Sequence, residues 1–215
     1  MLYLAGIVIT IFLAVLLTGK KNKTLADSIL IVWLIVIALH LFLFYFLITG
    51  KIYDYPGLMG IQVPLPLLHG PLLFLYTVAL TRRQGRFKMR WLIHFIPVII
   101  LYLFLTPFFN LSAAEKIAVY RNNGAGYATL LAISLSAIII SGIAYVIASL
   151  LLLRRYRMSI ENEFSNIEKI NLAWLRYLVY GIAIVWVAVI FGNDSIVFGS
   201  TVLFVFFLGY FGIRQ

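Results

Sequence analysis

The sequence predicts an all-α membrane protein, a bundle of seven transmembrane helices with its amino terminus outside and its carboxyl terminus in the cytoplasm. Three observations predict it. The 215-residue chain is 64% hydrophobic and 11% charged, with a mean hydropathy of +1.06. Too little polar surface remains to cover a soluble core. Seven apolar stretches fill the chain, each near the roughly 20 residues that carry an α-helix across a hydrocarbon core of about 30 Å. Nearly every basic residue falls in alternate gaps between those stretches. The chain reads as one domain, residues 1–215.

The stretches lie at 2–18, 25–48, 61–81, 91–109, 127–153, 172–191 and 196–213. The first has no basic residue before it and lysines after it, at Lys20, Lys21 and Lys23. That arrangement suits an uncleaved anchor rather than a removable signal peptide. The second runs without a charge after Asp27 and carries His40. The third opens with IQVPLPLLHGPLLFLY, so Pro64, Pro66, Gly70 and Pro71 are expected inside a spanning helix. Pro71 has no N–H to give the carbonyl of Leu67, and in lipid an unpaired carbonyl must face protein or a wet cavity. A packed, inert kink is the plainer reading, and a ligand site beside the kink is the functional one.

The fourth stretch begins WLIHFIP, with His94 near its start. In the fifth, Ser134, Ala137, Ser141, Ala144 and Ala148 follow steps of three and four, a stripe of small residues that reads as a helix–helix seam. A cavity wall is the alternative. The sixth follows RRYRMSIENEFSNIEKIN, where Met158, Phe164, Ile167 and Ile170 sit among charges, the pattern of an amphipathic segment on the inner face. Before the seventh, the turn Gly192-Asn193-Asp194-Ser195 places Asp194 as a turn residue and helix cap. In the long loop before the fifth stretch, EKIAVYR is expected to form one or two helical turns.

Charge placement sets the orientation. One set of gaps holds Lys20, Lys21, Lys23, Arg82, Arg83, Arg86, Lys88, Arg90, Arg154, Arg155, Arg157, Lys169, Arg176 and Arg214, 14 of the 17 basic residues. The other holds Lys51, Lys116 and Arg121. With 4 acids on the first side and 3 on the second, the net charges are +10 and zero. Basic loops are retained in the cytoplasm, which puts the amino terminus outside. The sequence pI of about 9.9 is thereby assigned to topology and anionic lipid and not to nucleic acid bound by this segment.

Polar groups at depth are few. At 1.5 Å per residue, His40 lies roughly 22 Å and His69 roughly 18 Å from the basic ends of their helices, while His94 lies only about 6 Å in. His40 and His69 are therefore expected at one level, with Gln62, His69 and Tyr76 facing polar groups of other helices. Neutral, hydrogen-bonded histidines are expected, with proton sensing open. No HExxH spacing, phosphate loop or nucleophile elbow occurs, and no carboxylate lies in mid-span. No catalytic residue, metal or cofactor is expected, and the chain contains no cysteine. There is no internal repeat of the kind inverted-repeat transporters show.

The pieces LPLLHGPLLFLY (65–76), WLIHFIP (91–97), FSNIEKINLAWLRY (164–177), FGND (191–194) and VFFLGYFGIRQ (205–215) resemble one family along essentially the whole chain. It is the seven-helix amino-terminal module of membrane-bound AraC/XylS-type transcription regulators of Bacteroidota. The resemblance implies a multi-pass protein of the bacterial inner membrane that takes part in signal transduction. It also implies a cytoplasmic helix-turn-helix domain after the last helix, through which alone DNA would be met. That domain is expected to be missing here, since the chain stops at Gln215. The resemblance carries over no functional residue. The expected function is therefore a membrane-embedded sensor, with the lipid bilayer, an unidentified envelope ligand and a second copy in a homodimer as its partners. The rival readings are a small-solute carrier or channel, which deep charge or internal symmetry would favour, and a passive membrane anchor.

Overall fold

Helices form where apolar runs meet good caps. Thr24 starts α2 (Leu25–Ile48) with a reciprocal cap: its Oγ1 accepts the Asp27 N–H at 3.1 Å, and the Asp27 carboxylate accepts the Thr24 N–H at 2.7 Å. Lys20 Nζ lies 2.8 Å from Asp27 Oδ1, so the buried acid is paired. Ser112 and Glu115 build the same reciprocal cap for α6 (Ala113–Arg121). The structure is a computed structural model describing residues 2–82, 87–163 and 172–213. All the described elements are helical. Besides α2 and α6 they are α1 (Leu2–Thr18), α3 (Pro66–Thr81), α4 (Ile96–Phe104), α5 (Thr106–Phe109), α7 (Ala128–Glu163), α8 (Ala173–Phe191) and α9 (Asp194–Ile213). Short 3-10 segments lie at Lys51–Asp54, Pro56–Leu58 and Met89–Phe95.

Four helices, α2, α7, α8 and α9, are long and apolar enough to cross a membrane, and three shorter apolar helices accompany them. Their outward faces carry large hydrophobic side chains such as Phe12, Ile140, Phe191 and Leu203. A surface of that kind suits lipid and would be costly in water.

Five expectations are corrected. The third helix does not begin at 61: residues 59–62 form a turn and the α-helix starts at Pro66. Pro66 takes the first helical position, where its missing N–H costs nothing and its fixed φ fits; Pro64 lies outside the helix, and only Gly70 and Pro71 are inside it. Gly60, at φ +89°, sets that turn, and a Cβ there would lie 2.8 Å from the Phe108 ring. The fourth stretch, expected as one helix, is a 3-10 segment followed by α4 and α5, because Pro97 and Pro107 each restart a helix at its first turn. Residues 154–163, expected in a separate inner-face segment, instead extend the helix of the fifth stretch. α7 continues to Glu163, and Arg157 and Glu161 pair at 2.6 Å one turn apart.

The cap of α9 is Asn193 rather than Asp194, since Asn193 Oδ1 accepts the Ile196 N–H at 3.0 Å. The small-residue stripe of α7 is also displaced: Ser134 is buried and Ser141 and Ala148 half-buried, but Ala137 and Ala144 are exposed. The buried line instead runs through Ser134, Ile138, Gly142, Ser149 and Leu153. Close approach is set by Gly142, where a Cβ would run into the Trp186 ring. Arg83, Arg86, Phe164, Ile167, Glu168, Lys169, Ile170 and Arg214 fall outside the described residues.

The six helices α1, α2, α3, α7, α8 and α9 pack in a closed ring, each against the next and α9 against α1. Gly6 and Gly209 admit Val202 and Leu13 at the α1–α9 contact. Gly70 admits the Tyr145 ring between α3 and α7. α4 lies beside α3. A second, smaller core of Ile52, Met59 and Phe108 forms a cap with the 3-10 segments Lys51–Asp54 and Pro56–Leu58, α5 and α6.

Candidate functional site

Between α2 and α3 runs a chain of three polar rings. Trp33 on α2 is fully buried, and its Nε1–H donates to His69 Nδ1 on α3 at 3.3 Å. His69 Nε2 then meets His40 Nδ1 on α2 at 3.1 Å, with the two rings stacked at 5.4 Å. An indole nitrogen can only donate, so His69 Nδ1 must accept. With both rings neutral, His69 carries its proton on Nε2 and gives it to His40 Nδ1, and the His40 proton sits on Nε2. The chain therefore has one direction, set at its start by Trp33.

His40 and His69 border a cavity of about 310 Å³. α8 adds Trp186, only 6% exposed, whose buried Nε1–H has no partner among the described residues. Asn193 and Asp194 line it too, and most of the wall is apolar. Each histidine turns one nitrogen toward the other, which leaves the pair poorly disposed to hold a metal between them. Among the described residues, no group of three or more metal-ligating side chains gathers.

The cap holds a second cavity of about 260 Å³. There Tyr120 OH accepts from Gly60 N at 2.8 Å and from Gln62 Nε2 at 2.7 Å. Gln62, 9% exposed, keeps its Oε1 buried without a partner among the described residues. Burial pushes the Tyr120 phenol up, and the two donated hydrogen bonds pull it partly back. Tyr102 OH donates to Ile61 O at 2.9 Å and ties the same turn to α4. Farther along, His94 Nδ1 meets Tyr145 OH at 2.8 Å, so His94 joins α7 and stands apart from the other two histidines.

The structure thus brings His40 and His69 together, sends Gln62 to the cap, and sets Tyr76 edge-on to Trp33 at 6.3 Å in the ring core. Gly70 and Pro71 are buried on α3. Pro66 reaches the ring cavity, while Pro64 does not line it. Trp33, Tyr120, Tyr145 and Trp186 were not singled out from sequence. For Trp33, Tyr145 and Trp186 the signal was a donor-bearing aromatic within an apolar stretch, which needs a partner when buried; Tyr120, in the charged EKIAVYR piece, had none. Compared with protein-family models, curated proteins and solved structures, the chain matches none of them.

Proposed function

We propose that this chain is the signal-receiving membrane module of a transcription regulator, with the ring cavity as its receiving site. The observation that carries the reading is a chamber closed by helices from both ends of the chain and bordered by an oriented hydrogen-bond chain. A solute there would touch α2, α3, α8 and α9 at once, so it would favour one arrangement of these helices over another. About 1–3 kcal/mol of differential affinity is enough for regulation.

The likeness to membrane-bound AraC/XylS-type regulators supports the same reading, with a helix-turn-helix domain joined after Gln215. Four helices are long and apolar enough to cross a membrane; on this reading the three shorter apolar segments cross as well, making seven spans of a multi-pass inner-membrane protein. The 14-to-3 division of basic residues favours an outside amino terminus. A homodimer would let a shift of α9 alter the pairing of two such domains.

Appending a helix-turn-helix domain after Gln215 and recording promoter output tests the proposal. Output should change when His69→Phe breaks the chain at unaltered protein level. Unchanged output for this and for Pro71→Ala would favour a passive anchor, and solute flux through the purified protein would favour a carrier. A periplasm-active reporter should be silent after Gln215 and active near Asn122; the reverse would overturn the orientation.

A further inference from the structure

Between α1 and α2 a groove of about 430 Å³ opens on the outward side of the ring. Small side chains make room for it. Ala14 and Ala38 are buried at its floor, while Ile11, Val15, Ile35 and Leu39 stand exposed along its rims. Its lining side chains are hydrocarbon apart from Thr18, and the Thr18 hydroxyl already donates to Ala14 O at 2.7 Å. No polar side chain of the lining is left to seek a partner. Such a groove suits a hydrocarbon chain.

From Ile7 to Thr18 the groove is roughly 17 Å long, at 1.5 Å per residue. That is about half of a 30 Å hydrocarbon core, the depth of one leaflet. A second helix crossing the bilayer would need a groove along the whole thickness. Just past the Thr18 end, the turn into α2 carries Lys20, Lys21 and Lys23. Lys20 is bound to the buried Asp27 in the first turn of α2. Lys21 and Lys23 are exposed and have no acidic partner among the described residues. At the other end, Ile7 and Phe42 are flanked by apolar and aromatic residues. One end alone therefore offers free cations, which attract an anionic headgroup at the bilayer surface.

We propose that the α1–α2 groove is a binding site for one acyl chain of an anionic phospholipid, with its phosphate held by Lys21 and Lys23. A zwitterionic lipid would fit the groove but would be attracted less by the lysines. The site needs only that α1 and α2 stand in lipid, and it does not depend on reception by the ring cavity.

The test offers the full chain, in detergent micelles, equal amounts of palmitoyl-oleoyl phosphatidylglycerol and phosphatidylcholine and reads retained lipid by native mass spectrometry. The first lipid retained should be phosphatidylglycerol, preferred about 25-fold, roughly fivefold from each lysine. Lys21→Gln combined with Lys23→Gln should bring that preference close to one, whereas Lys51→Gln should leave it unchanged. Ala38→Phe, which fills the floor, should reduce retention of both lipids. A phosphatidylglycerol carrying a diazirine in its acyl chain locates the site on the unaltered protein, so the result stands even if a variant fails to fold. Crosslinks should gather on residues 7–18 and 34–42. Crosslinks spread evenly over other exposed faces, such as those of Ile140 and Leu203, would overturn the site. Equal retention of the two lipids, or a preference that survives the loss of both lysines, would overturn the anionic headgroup. A second copy of the chain crosslinked in the groove in place of lipid would overturn the acyl-chain occupant.

Discussion

The ring cavity and the cap cavity are close in size, about 310 and 260 Å³, and each is lined by a residue with a buried polar atom that lacks a partner. They differ in how that atom is surrounded. In the cap, Gly60 and Gln62 come from one turn and share the Tyr120 hydroxyl, and charged Glu115, Lys116 and Arg121 lie on the same helix as Tyr120. Water can reach such a place, so a lost bond there can be replaced. In the ring, Trp33, His69 and His40 come from two helices within apolar stretches, with a donation order fixed by the indole, and Trp186 stands on a third. The cap cluster holds a turn; the ring cluster ties α2 to α3 beside the cavity. Substitutions that act on both regions should separate these roles.

The largest effect belongs to the seam that closes the ring. Gly142→Leu would drive a side chain into the Trp186 ring and should destabilise the protein by about 3 kcal/mol, near the upper end of overpacking costs. Ala137→Leu, on the exposed side of α7, should change stability by less than about 0.5 kcal/mol. Thermal unfolding in detergent separates the two; equal losses would restore the displaced stripe as the packing face.

Next comes the start of the chain. Trp33→Phe leaves His69 Nδ1 without its donor inside the ring and should cost about 2 kcal/mol. In the cap, Tyr120→Phe leaves the Gly60 N–H and the Gln62 amide without their acceptor, but water can take its place, so about 1 kcal/mol is expected. Denaturant unfolding of both variants checks the order, and a larger loss at Tyr120 would break the comparison. The smallest effect is local to α6. Hydrogen bonds from Ser112 hold the Glu115 carboxyl below its ordinary value of 4.5. Its contribution is therefore present above that value and is lost as pH falls through the lowered one. Amide exchange in the first turn of α6 should quicken as pH drops into that range, beyond the intrinsic trend, and Glu115→Gln should abolish the step.

Much of the helical layout was legible. α1 and α2 lie where the apolar runs place them, and α8 starts one residue later than read. The EKIAVYR piece is helical within α6. The depth of His40 and His69 followed from rise per residue alone, and they lie 3.1 Å apart. What was not legible depends on partners. Small residues mark where helices approach, but which neighbouring line closes on the next helix was decided by Gly142 meeting Trp186 and Gly70 meeting Tyr145. The prolines of the third and fourth stretches were visible as breaks, yet a proline that interrupts a helix and one that starts it look alike in sequence. Pro71 does the first, and Pro66 and Pro97 do the second. The unpaired indole of Trp186 had no sequence signal, because its lack of an acceptor is a property of the assembled wall.

Nitrogen NMR of histidine-labelled protein in nanodiscs tests the central claim most directly, with His94→Gln used to assign the third ring. His40 and His69 should both report the neutral tautomer with the proton on Nε2 and a bare Nδ1, as a one-way chain from Trp33 to the cavity requires. A proton on Nδ1 of either ring would reverse or break that chain, and the donor it presents to the cavity would be lost.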